Sequence, residues 1–343
     1  MSRHESQLDR WTPREWRDAP LRHMPQPPQE ECPLGVTARL SRMPGLVDAE
    51  EVKELRSALR AAAKGQTFVL QLGNPDRHLE DAGDADVSEY LRSLESMQQY
   101  LALMLRMPVL SMGLVAGVDA AADGTTIAAY YEAMLAALES MRRHRFHPYI
   151  SHDAANLHAE EALVRNAGML DGFYASSTHL LWLEGVPLPA LSSQLEFLCG
   201  LLNPIGMRVS AHSSPEDLLG IYRQLNPSRE TGKIVLVSSL GEDLGRLRHF
   251  IGAFRDAAAP VVWMCDPCWA HTAHASNDAG ALMQAVTAEV EHTALLHADE
   301  GSVLAGLRLE IAHELPVAGR RRLDFQQALR VCSELAGAWG GER

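Results

Sequence analysis

The chain has 343 residues, 46% hydrophobic and 22% charged, an ordinary globular composition that excludes disorder for its bulk. Forty-four acidic against 31 basic side chains leave a formal charge of −13, which opposes nucleic acid and anionic membrane as partners. Apolar runs stay short of the roughly 18 residues a membrane span needs, the charged and proline-rich opening is unlike a secretory signal, and the five scattered cysteines suit reduced thiols, so a soluble cytoplasmic protein is expected.

Residues 1–45 carry Trp11, Trp16 and a series of prolines, a composition that wraps over a barrel or a partner subunit rather than forming its own core. Residues 46–343 then alternate. Short β-branched or apolar runs predict strands at Thr67 to Gly73, Pro108 to Gly117, Phe146 to Asp153 and His179 to Gly185. Four more follow at Gly206 to His212, Lys233 to Gly241, Pro260 to Pro267 and Val303 to His313. Between them run amphipathic stretches, among them Asp48 to Lys64, Val87 to Arg106, Ile127 to Arg143, Ala155 to Ala167, Gln194 to Leu202, Pro215 to Leu225, Asp243 to Ala257 and Met283 to His297, with Leu323 to Trp339 last. Eight strand–helix repeats with right-handed crossovers predict an α/β fold, a (β/α)8 TIM barrel with an N-terminal arm; an open doubly wound sheet is the alternative. Neither a GxGxxG nor a GxxxxGK[ST] motif supports a nucleotide-binding version of that open sheet.

In such a barrel the chemistry belongs to the C-terminal strand ends. Those ends place Asn74, Asp119, His152, Glu184, Asp266 and Glu310 around one mouth, with Arg208 as the one basic residue read within a strand nearby. Arg320, Arg321 and Arg322 read as a solvated corner. Glu310, His152, His179, His271 and Asp266 are the acid/base candidates; Arg208, Trp182, Glu184, Asn74, Asp119 and Trp269 are the substrate-binding ones. His271 and His274, meeting Glu310 and His313 across the mouth, would supply N and O ligands to a metal. Cys265-x-x-Cys268 lacks the second pair of a zinc site and is read as unreactive.

The ordered motifs resemble those of the type II (plant-like) 3-deoxy-D-arabino-heptulosonate 7-phosphate (DAHP) synthases. They are Phe68-Val-Leu-Gln-Leu-Gly73, Ser151-His152, His179-Leu-Leu-Trp182, Glu196-Phe197, Asn203-Pro-Ile-Gly206, Pro260-Val-Val-Trp-Met-Cys-Asp-Pro267, Leu309-Glu310 and Gln326-Gln327. The resemblance implies a barrel, a homodimer formed partly through the arm, and a divalent metal held by a cysteine, a histidine, a glutamate and an aspartate. Only the glutamate is kept, as Glu310; Pro75 and Trp269 stand where the cysteine and histidine would be, and the aspartate's segment reads as deleted. The resemblance therefore implies that the divalent metal (Mn, Co, Mg or Zn) is lost or held at a remade site.

The family's anion-binding bases are replaced in the same way, by Leu114, Ala121, Asp123, Val186 and Ser239, and only Arg208 keeps a charge. Phosphorylated substrates need fixed cations, so DAHP synthesis is not expected. The expectation is a repurposed enzyme performing aldol, lyase or enolisation chemistry on a small non-phosphorylated carboxylate or carbonyl compound. The alternatives are a catalytically inactive relative acting as a binding or regulatory partner, and an active synthase.

Overall fold

A computed structural model describes residues 11–18, 34–73, 84–119, 122–183, 192–272, 279–311 and 322–340. The strands are β1 (Phe68–Gly73), β2 (Val109–Leu114), β3 (Tyr149–Asp153), β4 (Val164–Asn166), β5 (Phe173–Ala175), β6 (Leu180–Leu183), β7 (Ile205–Ser210), β8 (Ile234–Ser239), β9 (Val262–Cys265) and β10 (Leu304–Glu310). Eight of them close into a parallel barrel in the order β1-β2-β3-β6-β7-β8-β9-β10, with β10 pairing back onto β1. Seven predicted strands contain one of these eight, trimmed at an end or both, while β7 starts at Ile205, one residue ahead of its predicted bound. This is the expected (β/α)8 architecture, and the open sheet is set aside.

The helices are α1 (Leu34–Leu40), α2 (Ala49–Ala62), α3 (Asp84–Leu105), α4 (Gly124–Arg142), α5 (Leu157–Ala162), α6 (Ser192–Cys199), α7 (Pro215–Leu225), α8 (Leu247–Asp256), α9 (Pro267–Thr272), α10 (Ala279–Asp299) and α11 (Phe325–Gly340). Local chemistry sets several starts: Asp48 and Glu51 form a reciprocal capping box on α2, and Ser214 caps α7 with Pro215 in its first turn. α2 then plugs the N-terminal end of the barrel, its Leu55, Leu59 and Ala62 packing with the lumen residues Val69, Met112, Val235 and Val262. No described helix is long and apolar enough to cross a membrane.

One predicted helix is overturned in part. Ala155 to Ala167 reads as continuous, but α5 ends at Ala162, and β4 and β5 form an antiparallel hairpin. β-branched Val164 favours the extended chain, and the turn uses positive φ at Gly168, Asp171 and Gly172, which a continuing helix cannot accommodate. Asn203 ties this hairpin to the barrel. Its Oδ1 accepts from Ala175 N at 2.8 Å, and its Nδ2 donates to the Ala175 and Thr178 carbonyls at 3.0 and 2.9 Å.

The arm residues 11–18 lie on their own barrel. Trp11 Nε1 donates to the Glu196 carbonyl at 2.8 Å, while Trp16 Nε1 and Arg17 Nε donate to Glu161 Oε2 at 2.9 and 2.8 Å. Both indoles are buried within the chain.

Gly206 shows why the Asn-Pro-Ile-Gly segment ends as it does. A Cβ there would overlap the six-membered ring of Trp182, which lies across β7 inside the barrel. Gly206→Ala is therefore expected to cost about 1–3 kcal/mol through overpacking. A thermal or urea melt equal to that of the unaltered chain would contradict this placement of Trp182.

Candidate active site at the barrel mouth

Strand alternation decides which residues reach the lumen. On β1, Gln71 points inward, its Nε2 donating to Ser151 Oγ at 2.6 Å across the barrel. On β10, Arg308 and Glu310 are two apart and share the inward face, while Leu307 and Leu309 pack outward among the helices. Arg208 of β7 and Asp266, just after β9, meet them. Asp266 Oδ2 lies 2.9 Å from Arg208 Nη1 and 3.5 Å from Arg308 Nε. Its other oxygen accepts the backbone N–H groups of Cys268 and Trp269, both at 3.1 Å, and so starts α9.

Each strand arginine also lies over an indole. Arg308 Cζ is 4.7 Å from the Trp182 ring centre, and Arg208 Cζ is 4.1 Å from that of Trp269. Arg322, arriving ahead of α11, brings its Nε to 3.9 Å from the buried Glu310 Oε2. Burial raises the Glu310 carboxyl to about 7; the Asp266 charge adds to the rise, while Arg308, Arg208 and Arg322 oppose it.

This geometry corrects the expected electrostatics. Arg208 is joined by two further cations, Arg308 and Arg322. The signal for Arg308 was the period-two spacing in Leu307-Arg-Leu-Glu310; Arg322 was hidden in a triplet read as a solvated corner, yet its side chain is only 11% exposed. Among the described residues, three guanidinium groups face two carboxyls here.

Two acid/base candidates, His152 and His179, lie elsewhere, and a third, His271, is paired away from Glu310. Because Ser151 faces the lumen, its neighbour His152 faces outward, where its Nε2 lies 2.9 Å from Glu160 Oε1 and Ser177 Oγ donates to Glu160 Oε2 at 2.6 Å. That buried array joins the barrel wall to α5. His179 sits at the start of β6, on the opposite end from the mouth. Its Nδ1 accepts from Ile150 N at 3.0 Å and its Nε2 lies 3.6 Å from Glu51 of the plugging helix. The hydrogen bond with His179 is the main reason the Glu51 carboxyl falls below its ordinary value. His271 is near the mouth, but its Nε2 pairs with Glu289 Oε2 at 2.8 Å rather than with Glu310.

Asp119 is exposed after β2, its carbonyl accepting from Asn156 Nδ2 at 3.0 Å. Asn74, Glu184, His274 and His313 lie outside the described residues. Cys265 and Cys268 are buried, and desolvation pushes both thiols well above their ordinary range, in keeping with an unreactive pair.

The family's divalent metal does not fit the described residues. Trp269 offers an indole, which is no ligand, and the retained Glu310 is ringed by guanidinium groups that repel a cation. Among the described residues no three His, Cys, Asp or Glu side chains come together as a metal site.

A model of the class-II DAHP synthetase family matches residues 11–121 and 122–318. A probable chloroplastic phospho-2-dehydro-3-deoxyheptonate aldolase of Catharanthus roseus is 25% identical over 84% of this chain and 73% of its own length. The aldolases of that name from Neurospora crassa and Streptomyces coelicolor are 21% and 23% identical, over 88% and 76% of this chain and 84% and 78% of theirs. A solved aldolase of the same name from Francisella tularensis superposes with a TM-score of 0.58 at 10% identity, over 92% of this chain and 95% of that one, and so shares the fold.

The raised carboxyl has a measurable consequence. With Glu310 at about 7 in the folded chain against an ordinary 4.5, the folded state holds a proton over a range where the unfolded chain has lost it. The stability carried by the protonated form is complete below the ordinary value and is lost as the pH rises through about 7. Melting curves should therefore show the parent chain losing stability relative to Glu310→Gln between roughly pH 5 and pH 8. Parallel curves across that window would mean that Glu310 titrates as an exposed carboxylate.

Proposed function

The chain belongs to the class-II DAHP synthetase family, and from that premise we propose that it is a repurposed member acting on a small 2-oxo acid, without a phosphorylated substrate. The observation that carries this reading is the charge of the mouth. Arg208, Arg308 and Arg322 converge on Asp266 and Glu310, a set of guanidinium donors suited to a carboxylate. Leu114 and Ser239 stand where the resemblance implies further anion-binding bases, which leaves two phosphorylated substrates without those cations.

In this reading the guanidinium groups seat the substrate carboxylate, and Glu310 removes a proton from the carbon beside the keto group. The C–H electron pair moves into a C=C bond as the carbonyl pair shifts to oxygen, giving an enolate that the arginines stabilise. Returning the proton completes an enolisation. Attack of the enolate carbon on an aldehyde, with a proton passing to the new alkoxide, completes an aldol addition. With the carboxyl at about 7, Glu310 has both acid and base forms at neutral pH. Asp266 is a positioning residue, both of its oxygens being engaged in holding arginines and α9.

Deuterium uptake from solvent into pyruvate or 2-oxobutanoate, followed by proton NMR, tests the reading. The parent chain should exchange above background, and Glu310→Gln should fall by about 100-fold or more while still binding the acid. Exchange by neither protein, or turnover of phosphoenolpyruvate with erythrose 4-phosphate at the rate of an ordinary synthase, would overturn it. A non-catalytic relative is the second reading, favoured by the way Asp266 already neutralises part of the arginine charge. Binding of the oxo acid without exchange would select it. A homodimer in the cytoplasm is carried as part of the same proposal, and a monomeric mass by light scattering would remove the dimer.

A further inference from the structure

Beside the arginine cluster lies a cavity of about 580 Å³, walled by the turn after β7, residues 239–243 and α9 on one side and the first turns of α10 on the other. This volume is within the range of small-molecule sites, about 300–1,000 Å³. Trp269 is common to both places: its ring carries Arg208 and also lines the cavity. The cavity and the arginine cluster thus adjoin each other at this indole.

The walls are fixed rather than loose. Glu289 of α10 accepts from Leu240 N and Gly241 N at 3.0 and 3.1 Å through one oxygen, and its other oxygen faces His271 Nε2 of α9 at 2.8 Å. Gly241 has a positive φ, and a Cβ there would meet Ala270, so this turn approaches α9 as only glycine allows. Into the cavity so framed points Ser239. It is 3% exposed, and its Oγ has no hydrogen-bond partner among the described residues. A buried hydroxyl left in this way calls for a polar partner from a ligand.

Charge narrows the partner further. Among the described residues the lining has no lysine or arginine; its titratable members are His212, His271, which is paired with Glu289, and the acids Glu242 and Asp243. Arg246, close by in sequence, directs its guanidinium to the Ala211 and Ser213 carbonyls. Phosphate is thus unfavoured. Both acids are solvent-exposed and screened, so a cation gains little either. We infer that this cavity takes an uncharged hydroxylated group, a short polyol or unphosphorylated aldose, as the partner of the carboxylate bound at the arginines.

The inference rests on the carboxylate reading above, and its test separates the two. Erythritol and free erythrose would be titrated against erythrose 4-phosphate and inorganic phosphate by saturation-transfer NMR, with pyruvate binding followed independently through indole fluorescence. The parent chain should bind the free polyols more tightly than either phosphate. Ala285→Phe, which fills the cavity from a half-buried helix position, should weaken polyol binding by about tenfold or more, and Ser239→Ala by a smaller factor, with pyruvate binding and melting temperature retained. Equal or tighter binding of phosphate, no polyol binding in the tens of millimolar, or polyol binding unaffected by Ala285→Phe would overturn the inference while pyruvate binding persists. Loss of pyruvate binding in the parent chain would instead strike the carboxylate reading, and the polyol inference with it.

Discussion

Two guanidinium groups share one carboxylate inside the barrel, and the mouth is organised around that contact. Moving an ion from water into protein carries a penalty of several kcal/mol, which one pairing rarely offsets alone. Here the compensation comes from several directions. Asp266 binds Arg208 and Arg308 with one oxygen and caps α9 with the other, and each arginine rests on an indole face. The contact therefore fixes side chains from β7 and β10 and the starting point of α9 relative to one another.

That interlock also explains the condition of Glu310. Three cations nearby would ordinarily hold a carboxyl low, yet burial and the Asp266 charge outweigh them. Because Asp266 already absorbs part of the positive field, the remaining carboxyl is poised near neutrality instead of locked as an anion. The acid strength of Glu310 and the proposed seat for a substrate carboxylate thus depend on one arrangement.

The barrel was legible in the sequence because its signal is distributed over eight alternating segments, and errors at single boundaries do not change the topology. The mouth was harder to read, because function there depends on which side and which end of a strand a residue occupies. His152 and His179 lie in the expected strand regions, but alternation turns the first outward and the second belongs to the start of β6. Arg308 was legible by the same alternation, lying two residues before Glu310, whereas Arg322 was not, since no local pattern separates an inward arginine from its solvated neighbours. Ser239 and Arg208, read from motif positions, stand at the cavity and the mouth.

Fold and chemistry have separable supports in this chain. Asn203 satisfies three buried backbone groups, Gly206 makes space for Trp182, and α2 closes the far end of the lumen; none of these needs a metal or a phosphate. The residues at the strand ends were free to change as long as the lumen remained filled and its charges balanced. Trp269 meets both conditions at once: it gives Arg208 an aromatic face where the family pattern has an imidazole, and it forms a wall of the neighbouring cavity. In the proposed reading, one replacement of that kind would take away a metal ligand and at the same position give the arginine cluster an aromatic support.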